Sequence, residues 1–212
     1  MKEVFLTSSY LAPVSWYTAL IGGSTAFVEQ YDHYMKQTYR NRCVLMGAQG
    51  RISLTIPVEK SVSDKCLMKD VRVSSHGNWP HVHFGALEAC YGNTPYFEYY
   101  ADDFLKLYQT PFTFLLDLNE AFQSLVLELL GLDVDIRRTE SYLKSFLPGQ
   151  WDLRECIHPK HPDLFYFKPA VYYQSFSLGA SFEPDLSIVD LLFNMGPESV
   201  LTLRKSLLES YA

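Results

Sequence analysis

One short segment of the chain concentrates side chains that can hold an anionic substrate. It spans residues 31–43 and reads YDHYMKQTYRNRC; its charged and hydrogen-bonding members are Asp32, His33, Lys36, Gln37, Arg40, Asn41 and Arg42. Arginine presents a planar fork to phosphate or carboxylate, and lysine adds a point charge. Histidine exchanges a proton near neutral pH without a shifted pKa. The segment therefore predicts an anion-binding site, with His33 as a candidate general base.

Aromatic residues alternate with these charges and support a pocket wall, whereas composition alone slightly favours a solvated surface segment. Tyr31, Tyr34 and Tyr39 are interleaved with the cationic residues. Aromatic rings beside Arg and Lys form a surface on which a sugar or a base can stack. Because charge clusters are usually solvated, an ordinary exposed loop or strand remains the alternative interpretation.

A second group of candidate residues lies in the sequence HGNWPHVHFGALEACY, which holds His81 and His83. A His-x-His pair on a strand can place two imidazoles on one face, as a metal site requires. The chain has no third ligand at a diagnostic spacing and no His-Glu-x-x-His motif, so we expect no metal. His83 directly precedes a helical stretch that contains Tyr91, and we interpret it as a general base or a substrate-binding residue.

Two further histidines, His158 and His161, lie in the proline-rich sequence CIHPKHPDLFYF. Proline there predicts a rigid extended loop with solvated side chains. No Gly-x-Ser-x-Gly, phosphate-binding loop or Gly-x-Gly-x-x-Gly occurs, and we expect no cofactor. Cys43 follows Arg42, which would lower the pKa of its thiol, but a buried structural thiol is the favoured interpretation.

The composition limits the classes of function. The chain has 212 residues, enough for one domain with a large core, and 48% are hydrophobic. With 18 Lys and Arg against 24 Asp and Glu, the net charge is −6, which argues against nucleic acid and against a polybasic membrane contact. Four scattered cysteines form no CxxC pair and indicate reduced thiols. No signal peptide or membrane-spanning run is recognised, so we expect a cytoplasmic protein.

The elements that must position these residues follow from hydrophobic patterning. The first third is predicted to be rich in strands, namely Val4–Thr7, Thr25–Glu29, a hairpin of Cys43–Met46 with Arg51–Val58, and Asp70–Ser74. The helices are predicted over His83–Tyr91, from Thr94–Pro95 onward, from Asp117 or Asn119 to Leu130, over Leu186–Phe193 and over Ser199–Tyr211. We expect a single α/β domain, mixed and α+β-like, over residues 1–212, with helices packed on a mixed sheet.

Several motifs resemble, in the same order, those of the WbqC-like protein family of bacteria. They are KQTYRNR at Lys36–Arg42, LTIPVEK at Leu54–Lys60, Trp79-x-x-x-His83 running into ALEACYGNTPYFEYY, LDLNE at Leu116–Glu120, and LSIVDLLFNMGPES at Leu186–Ser199. The opening Tyr10–Pro13 is also similar, but Ser8 or Ser9 stands where the family often has Gln.

The resemblance implies a role in surface-polysaccharide (O-antigen) biosynthesis, with transfer of glycine or another amino acid to a sugar. It also implies that ten residues occupy family-motif positions: Lys36, Tyr39, Arg40, Asn41, Arg42, His83, Tyr91, Ser187, Asp190 and Asn194. Asp190 and Asn194 are also spaced i, i+4 on a predicted helix, where they can bind each other or the backbone.

Three hypotheses follow. The leading one is a transferase that acts on a nucleotide-linked or phosphorylated sugar, with Lys36, Arg40 and Arg42 on the anion and His33 or His83 as base. The second is a non-catalytic binding or assembly protein, a homodimer that uses the apolar stretch Ile188–Phe193 as its interface. The third is a metal-dependent hydrolase, which rests on the six histidines alone.

Overall fold

The computed structural model describes residues 2–59, 65–160, 164–177 and 181–211. Its strands are β1 (Glu3–Thr7), β2 (Thr25–Glu29), β3 (Arg42–Gly47), β4 (Gly50–Thr55), β5 (Asp135–Arg138) and β6 (Gln150–Asp152). Its α-helices are α1 (Val14–Gly22), α2 (Trp79–Tyr91), α3 (Phe97–Gln109), α4 (Leu115–Leu130), α5 (Ile188–Met195) and α6 (Ser199–Ser206). This arrangement confirms the expected α/β class.

A parallel sheet with strand order β5-β2-β1-β6 organises the molecule. Helix α1 connects β1 to β2, since neighbouring parallel strands require a crossover. Residues Val14–Leu20 of α1 are buried nearly all round, which matches their almost continuous apolar sequence. The sequence alone did not predict α1, β5 or β6, because β5 and β6 have only four and three residues and carry little pattern.

Strands β3 and β4 form a separate two-stranded antiparallel sheet, so the expected mixed sheet is in fact two sheets. Gly50 has a φ of +114° at the hairpin turn, a conformation that glycine adopts without steric cost. Strand β3 packs against α2 and α5 instead of extending the parallel sheet. The hairpin itself was predicted from its alternating pattern.

Other boundaries differ for local reasons. The Thr94 hydroxyl donates a hydrogen bond to the Tyr91 carbonyl, which completes the turn after α2, and α3 begins only at Phe97. The predicted strand Asp70–Ser74 is not a continuous strand. It forms isolated bridges instead, in which Val73 pairs with Val58 and Arg72 pairs with Phe114. His81 and His83 lie on α2, not on a strand.

The stretch Ile188–Phe193, which the sequence suggests as a dimer interface, lies in the core of the protein instead. Five apolar residues of the proposed interface are wholly buried inside the domain: Ile188, Val189, Leu191, Leu192 and Phe193. Helix α5 contacts α1, α2, α3, α4 and α6, so its apolar face has partners within the chain. Within the described ranges, no helix combines the length and apolar character needed to cross a membrane.

Candidate functional site

The carboxyl ends of the four parallel strands meet at one edge of the sheet, and buried polar residues such as Glu29, Thr139 and Arg154 lie at or just after them. The chain leaves β1 through α1 to reach β2 on one side, whereas β6 lies on the other side of β1. In open α/β sheets, ligands bind outside the carboxyl ends at such a switch point. We therefore expect a ligand site among the segments that follow β1, β2, β5 and β6.

A buried ionic network joins three of these strand ends. Glu29 at the end of β2 is fully buried; its carboxylate accepts hydrogen bonds from Arg154 Nη1 at 2.9 Å and from the Thr139 hydroxyl at 2.8 Å. Arg154 also donates from Nε to Asp152 at 2.7 Å. Arg154 is itself only 6% exposed, so the network is buried and holds the ends of β2, β5 and β6 together.

Segment 31–43 contributes a second buried pair, Arg40 with Asp32. Arg40 donates to Asp32 Oδ2 from Nη2 and, at 3.2 Å, from Nε. Burial raises the pKa of Asp32, and the Arg40 guanidinium opposes that rise. Asn119 of α4 donates its amide hydrogens to the Arg40 carbonyl at 2.8 Å and to Ser8 Oγ at 2.9 Å. Arg40 is thus held inside the protein, not presented to solvent.

Four buried atoms near this pair have no hydrogen-bond partner among the residues that the structure describes. They are Asp32 Oδ1, Asn41 Oδ1, Arg42 Nε and Asn119 Oδ1. The orientations of the two amides are fixed, because Asn41 donates to the Ile56 carbonyl at 2.8 Å and Asn119 donates twice. Buried polar atoms normally have hydrogen-bond partners, so each of these four atoms can still form a hydrogen bond.

Backbone hydrogen bonds hold residues 39–41 in place. The Tyr10 amide donates to the Tyr39 carbonyl at 2.9 Å, and the Ile56 amide donates to the Asn41 carbonyl at 2.8 Å. Arg40 pairs with Asp32, whereas Tyr39 lines a cavity described below. The segment therefore contributes both to the buried cluster and to the cavity wall.

His83 is buried in a chain of hydrogen bonds. Its Nδ1 lies 2.9 Å from the Tyr10 hydroxyl, which lies 2.5 Å from the Tyr108 hydroxyl, and the ring also hydrogen-bonds the backbone of Thr55. Burial lowers the pKa of His83 to about 4, so the ring is neutral at pH 7. Its contacts connect α2 with α3, with β4 and with the segment after β1.

Tyr91, Asp190 and Asn194 form a separate network around α5. The Asp190 carboxylate accepts hydrogen bonds from Tyr172 at 2.6 Å and Gln174 at 3.0 Å, and the Tyr91 hydroxyl also bonds to it. Asn194 donates to the Asp190 carbonyl at 2.7 Å and accepts from the Ser175 amide at 3.1 Å. These contacts hold residues 172–175 against the helix.

The predicted site residues are therefore distributed over several places. Arg40 and Asn41 are buried, Arg42 is half-buried, and Lys36 and His33 are exposed. The Lys and Arg residues of segment 31–43 do not converge on one point, and His33 is not joined to His83. Among the described residues, no cluster of three or more His, Cys, Asp or Glu could hold a metal ion. His161 lies outside the described residues.

A cavity of about 590 Å³ lies beside the switch point, within the size range typical of small-molecule sites. Its walls come from five stretches of chain and contain Tyr39, Arg51, His158, Pro159, Leu164, Phe165, Phe167, Lys168, Pro169, Pro184 and Asp185. The stretches from His158 to Pro169 follow β6, and Asp185 contacts the first turn of α1, which follows β1. The cavity thus adjoins the carboxyl ends of these neighbouring strands.

The cavity combines cationic groups with aromatic surfaces. Arg51 and Lys168 are both exposed, and Arg51 pairs with Glu183 through Nε at 2.8 Å. Lys168 makes no ion pair with any residue in the described part of the chain. Tyr39, Phe165 and Phe167 supply rings for a flat or apolar ligand face. Such a lining suits a ligand with both a phosphate and a ring.

Asp185 is the acidic residue of this lining. Its Oδ1 accepts from the Ser15 amide at 2.8 Å and its Oδ2 accepts from the Ser15 hydroxyl at 2.9 Å, which caps the first turn of α1. Burial raises the pKa of Asp185 to about 6, although the Ser15 hydrogen bonds and Arg51 oppose the rise. No sequence pattern points to this site, because Ser15 and Asp185 are 170 residues apart and an Asp before a helix is an ordinary capping signal.

Comparisons with known proteins place the chain in a family. Over 96% of its length it is similar to the uncharacterized protein Rv1507c of Mycobacterium tuberculosis, with 25% identity across 229 residues and 98% of that protein covered. No solved structure matches the chain significantly. Residues 8–156, which include segment 31–43, His83 and Asn119, match the WbqC-like protein family. The chain therefore belongs to the WbqC-like protein family.

Proposed function

We propose that the protein is a transferase that binds a phosphorylated or nucleotide-linked sugar in the cavity beside the parallel sheet. The observation that carries the proposal is the lining itself, which joins Arg51 and Lys168 to three aromatic rings at the switch point of the sheet. A phosphate or diphosphate would lie against the two cations, and the sugar or base would stack on Tyr39, Phe165 or Phe167.

The transferred group is an amino acid, such as glycine, or another acyl group from an activated donor. A hydroxyl or amine of the bound sugar would attack the carbonyl carbon of the donor and form the new C–O or C–N bond. The bond to the leaving group would break with its electron pair, and the attacking O–H or N–H would release its proton to a base. Family membership supports the placement of this reaction in surface-polysaccharide assembly.

The proposed setting is the cytoplasm. Cys43, Cys66, Cys90 and Cys156 are all free thiols, and free thiols are characteristic of a reducing compartment. The partners that the proposal requires are a phosphorylated or nucleotide-linked sugar and an activated aminoacyl or acyl donor.

Within this proposal, segment 31–43 has a divided role. Tyr39 contacts the ligand directly, whereas Arg40, Asn41 and Arg42 lie behind it in the buried cluster and hold the wall in position. The general-base roles of His33 and His83, and anion binding by Lys36, stay predictions. The burial of His83 and its bonds to Tyr10 and Thr55 argue for a packing role.

One observation favours a second candidate, a non-catalytic binding protein of the same pathway. His83, one of the two bases predicted from the sequence, is buried, and it does not line the cavity. Such a protein would bind the same sugar phosphate without turnover. Incubation with a sugar phosphate and activated aminoacyl or acyl donors, followed by mass spectrometry, separates the two: an acylated sugar supports the transferase, and an unchanged sugar supports the binding protein.

The ligand class is tested by isothermal titration calorimetry with uridine diphosphate. We expect wild-type protein to bind it and Lys168→Ala to bind it about tenfold more weakly, since a charge-assisted contact is lost. Arg51→Ala should weaken binding as well. Lys106→Ala on α3 removes another exposed lysine, one that is not part of the cavity lining, and it should bind as wild type does. Equal affinities in all four proteins would refute the assignment.

A further inference from the structure

We propose that Asp185 is the group that exchanges a proton with the substrate in this cavity. The inference rests on the proposed function, because it concerns the same cavity and adds the residue that performs its proton chemistry. Asp185 lies in the cavity wall with Tyr39, Arg51 and Lys168. No other carboxylate is part of that lining within the described residues.

The carboxylate is held in a fixed orientation. Ser15 donates one hydrogen bond to each carboxylate oxygen, from its amide and from its hydroxyl. A carboxylate oxygen has two lone pairs, so each oxygen can still accept another hydrogen bond. Asp185 is half-buried, which leaves it accessible to a ligand in the cavity. The residue is therefore both oriented and reachable, as a proton acceptor must be.

The backbone supplies an independent observation. Asp185 has a φ of +54°, one of three non-glycine residues in the described structure with a positive φ. Aspartate tolerates this conformation better than most residues, but it still costs free energy, and such strain is concentrated at functional sites. The strained φ and the contacts with Ser15 together fix where the carboxylate lies.

The charged surroundings suit a carboxylate that gains and loses a proton. The groups around it are Arg51 with its partner Glu183, Lys168, His158, and the hydroxyls of Tyr39, Tyr166 and Tyr172. Burial keeps the pKa of Asp185 near 6. A general base is most effective when its pKa is close to the working pH. In the transfer step, the carboxylate would take the proton of the attacking sugar hydroxyl or amine as the new bond forms.

The test uses sulfate, a dianion that does not titrate between pH 5 and 8 and so serves as the probe for the phosphate site. A bound dianion raises the pKa of a neighbouring carboxyl. Calorimetry at pH 6.5 in buffers of different ionisation enthalpy should therefore show uptake of about half a proton per sulfate bound. Asp185→Asn should bind sulfate with no such uptake, and more tightly than wild type at pH 8. Ser15→Ala, which keeps the carboxylate, should retain the uptake.

The outcomes separate this inference from the proposed function. Sulfate binding with the same proton uptake in Asp185→Asn would assign the proton to another group, such as His158, and overturn the inference. Absence of sulfate binding in wild-type protein would count against the anion site instead. Carbon-13 NMR of aspartate-labelled wild-type protein then decides the question, with the Asp185 resonance assigned as the one that is missing from Asp185→Asn. An Asp185 carboxyl resonance that titrates near pH 6 supports the inference, and one that titrates below about pH 4.5 contradicts it.

Discussion

Asp185 and His83 have opposite pKa shifts, and together they shape how the free energy of unfolding depends on pH. Both shifts arise from burial, which disfavours the charged form of each side chain. The Asp185 carboxyl binds its proton more tightly in the folded state, so its contribution is present at low pH and is lost as the pH rises through about 6. The neutral His83 contributes above its unfolded pKa, and that contribution is lost as the pH falls through about 4.

The two contributions oppose each other over nearly the same pH range, and each amounts to about 3 kcal/mol. Replacing Asp185 with Asn keeps a hydrogen-bond acceptor for Ser15 but removes the titrating group. We therefore expect the free energy of unfolding of Asp185→Asn, relative to that of wild type, to rise by about 2 kcal/mol between pH 4 and pH 6. Urea denaturation at several pH values measures it, and parallel curves for the two proteins would contradict the assigned pKa.

Among the elements, the segment between β2 and β3 depends on buried polar contacts. It passes from the sheet to the hairpin through Asp32, Arg40 and Asn41, which are at most 9% exposed. Asn119 of α4 holds the Arg40 carbonyl, and Ile56 after β4 holds the Asn41 carbonyl. The charges that make this segment prominent in the sequence therefore serve first to join the parallel sheet, the hairpin and α4.

Replacing Arg40 with Ala should destabilise the protein by about 3–5 kcal/mol, because the Asp32 carboxylate would remain buried without its partner. The loss should be smaller in Arg40→Met combined with Asp32→Leu, where both charges are removed. Guanidinium denaturation measures each. Lys106→Ala, which breaks an exposed pair with Asp103, is the control and should leave stability unchanged. An Arg40→Ala protein as stable as this control would show that the pair is not buried.

The sequence predicted elements with strong periodicity and missed those with little pattern. The β3–β4 hairpin, β1, β2 and the end of α4 at Gly131 followed from alternation and from glycine, which has a φ of +63° at that helix end. Strands β5 and β6 are too short to show a period, and α1 is apolar on all sides. The parallel sheet that defines the carboxyl edge therefore could not be derived from local pattern.

The candidate site is even harder to predict from local sequence pattern than the strands and helices are. Tyr39 lines the cavity, and its role as a substrate contact stays a prediction. Arg51, Lys168 and Asp185 carry no local motif, because the cavity exists only once residues separated by more than a hundred positions are brought together. The sequence likewise does not predict that Arg40 and His83 are buried. A cationic or imidazole side chain in a motif does not reveal whether its partner is a substrate or another residue of the chain.

The whole molecule is acidic, with a net charge of −6, and yet its cavity presents two cationic side chains. General attraction of polyanions is therefore weak, and in the proposed site an anion would be recognised locally by Arg51 and Lys168. The cavity draws its walls from segment 31–43, from the hairpin, from the chain after β6 and from the turn before α5. A ligand there would contact four stretches that are distant from one another in the sequence.

A crystal structure of the protein soaked with uridine diphosphate would show directly whether the cavity binds an anion. We predict difference density in the cavity, with the diphosphate between Arg51 and Lys168 and the base or ribose against Tyr39, Phe165 or Phe167. A crystal of Lys168→Ala treated in the same way should show weaker density. Density at Lys36 and Arg42 with an empty cavity, at a concentration that saturates the protein in solution, would contradict the account.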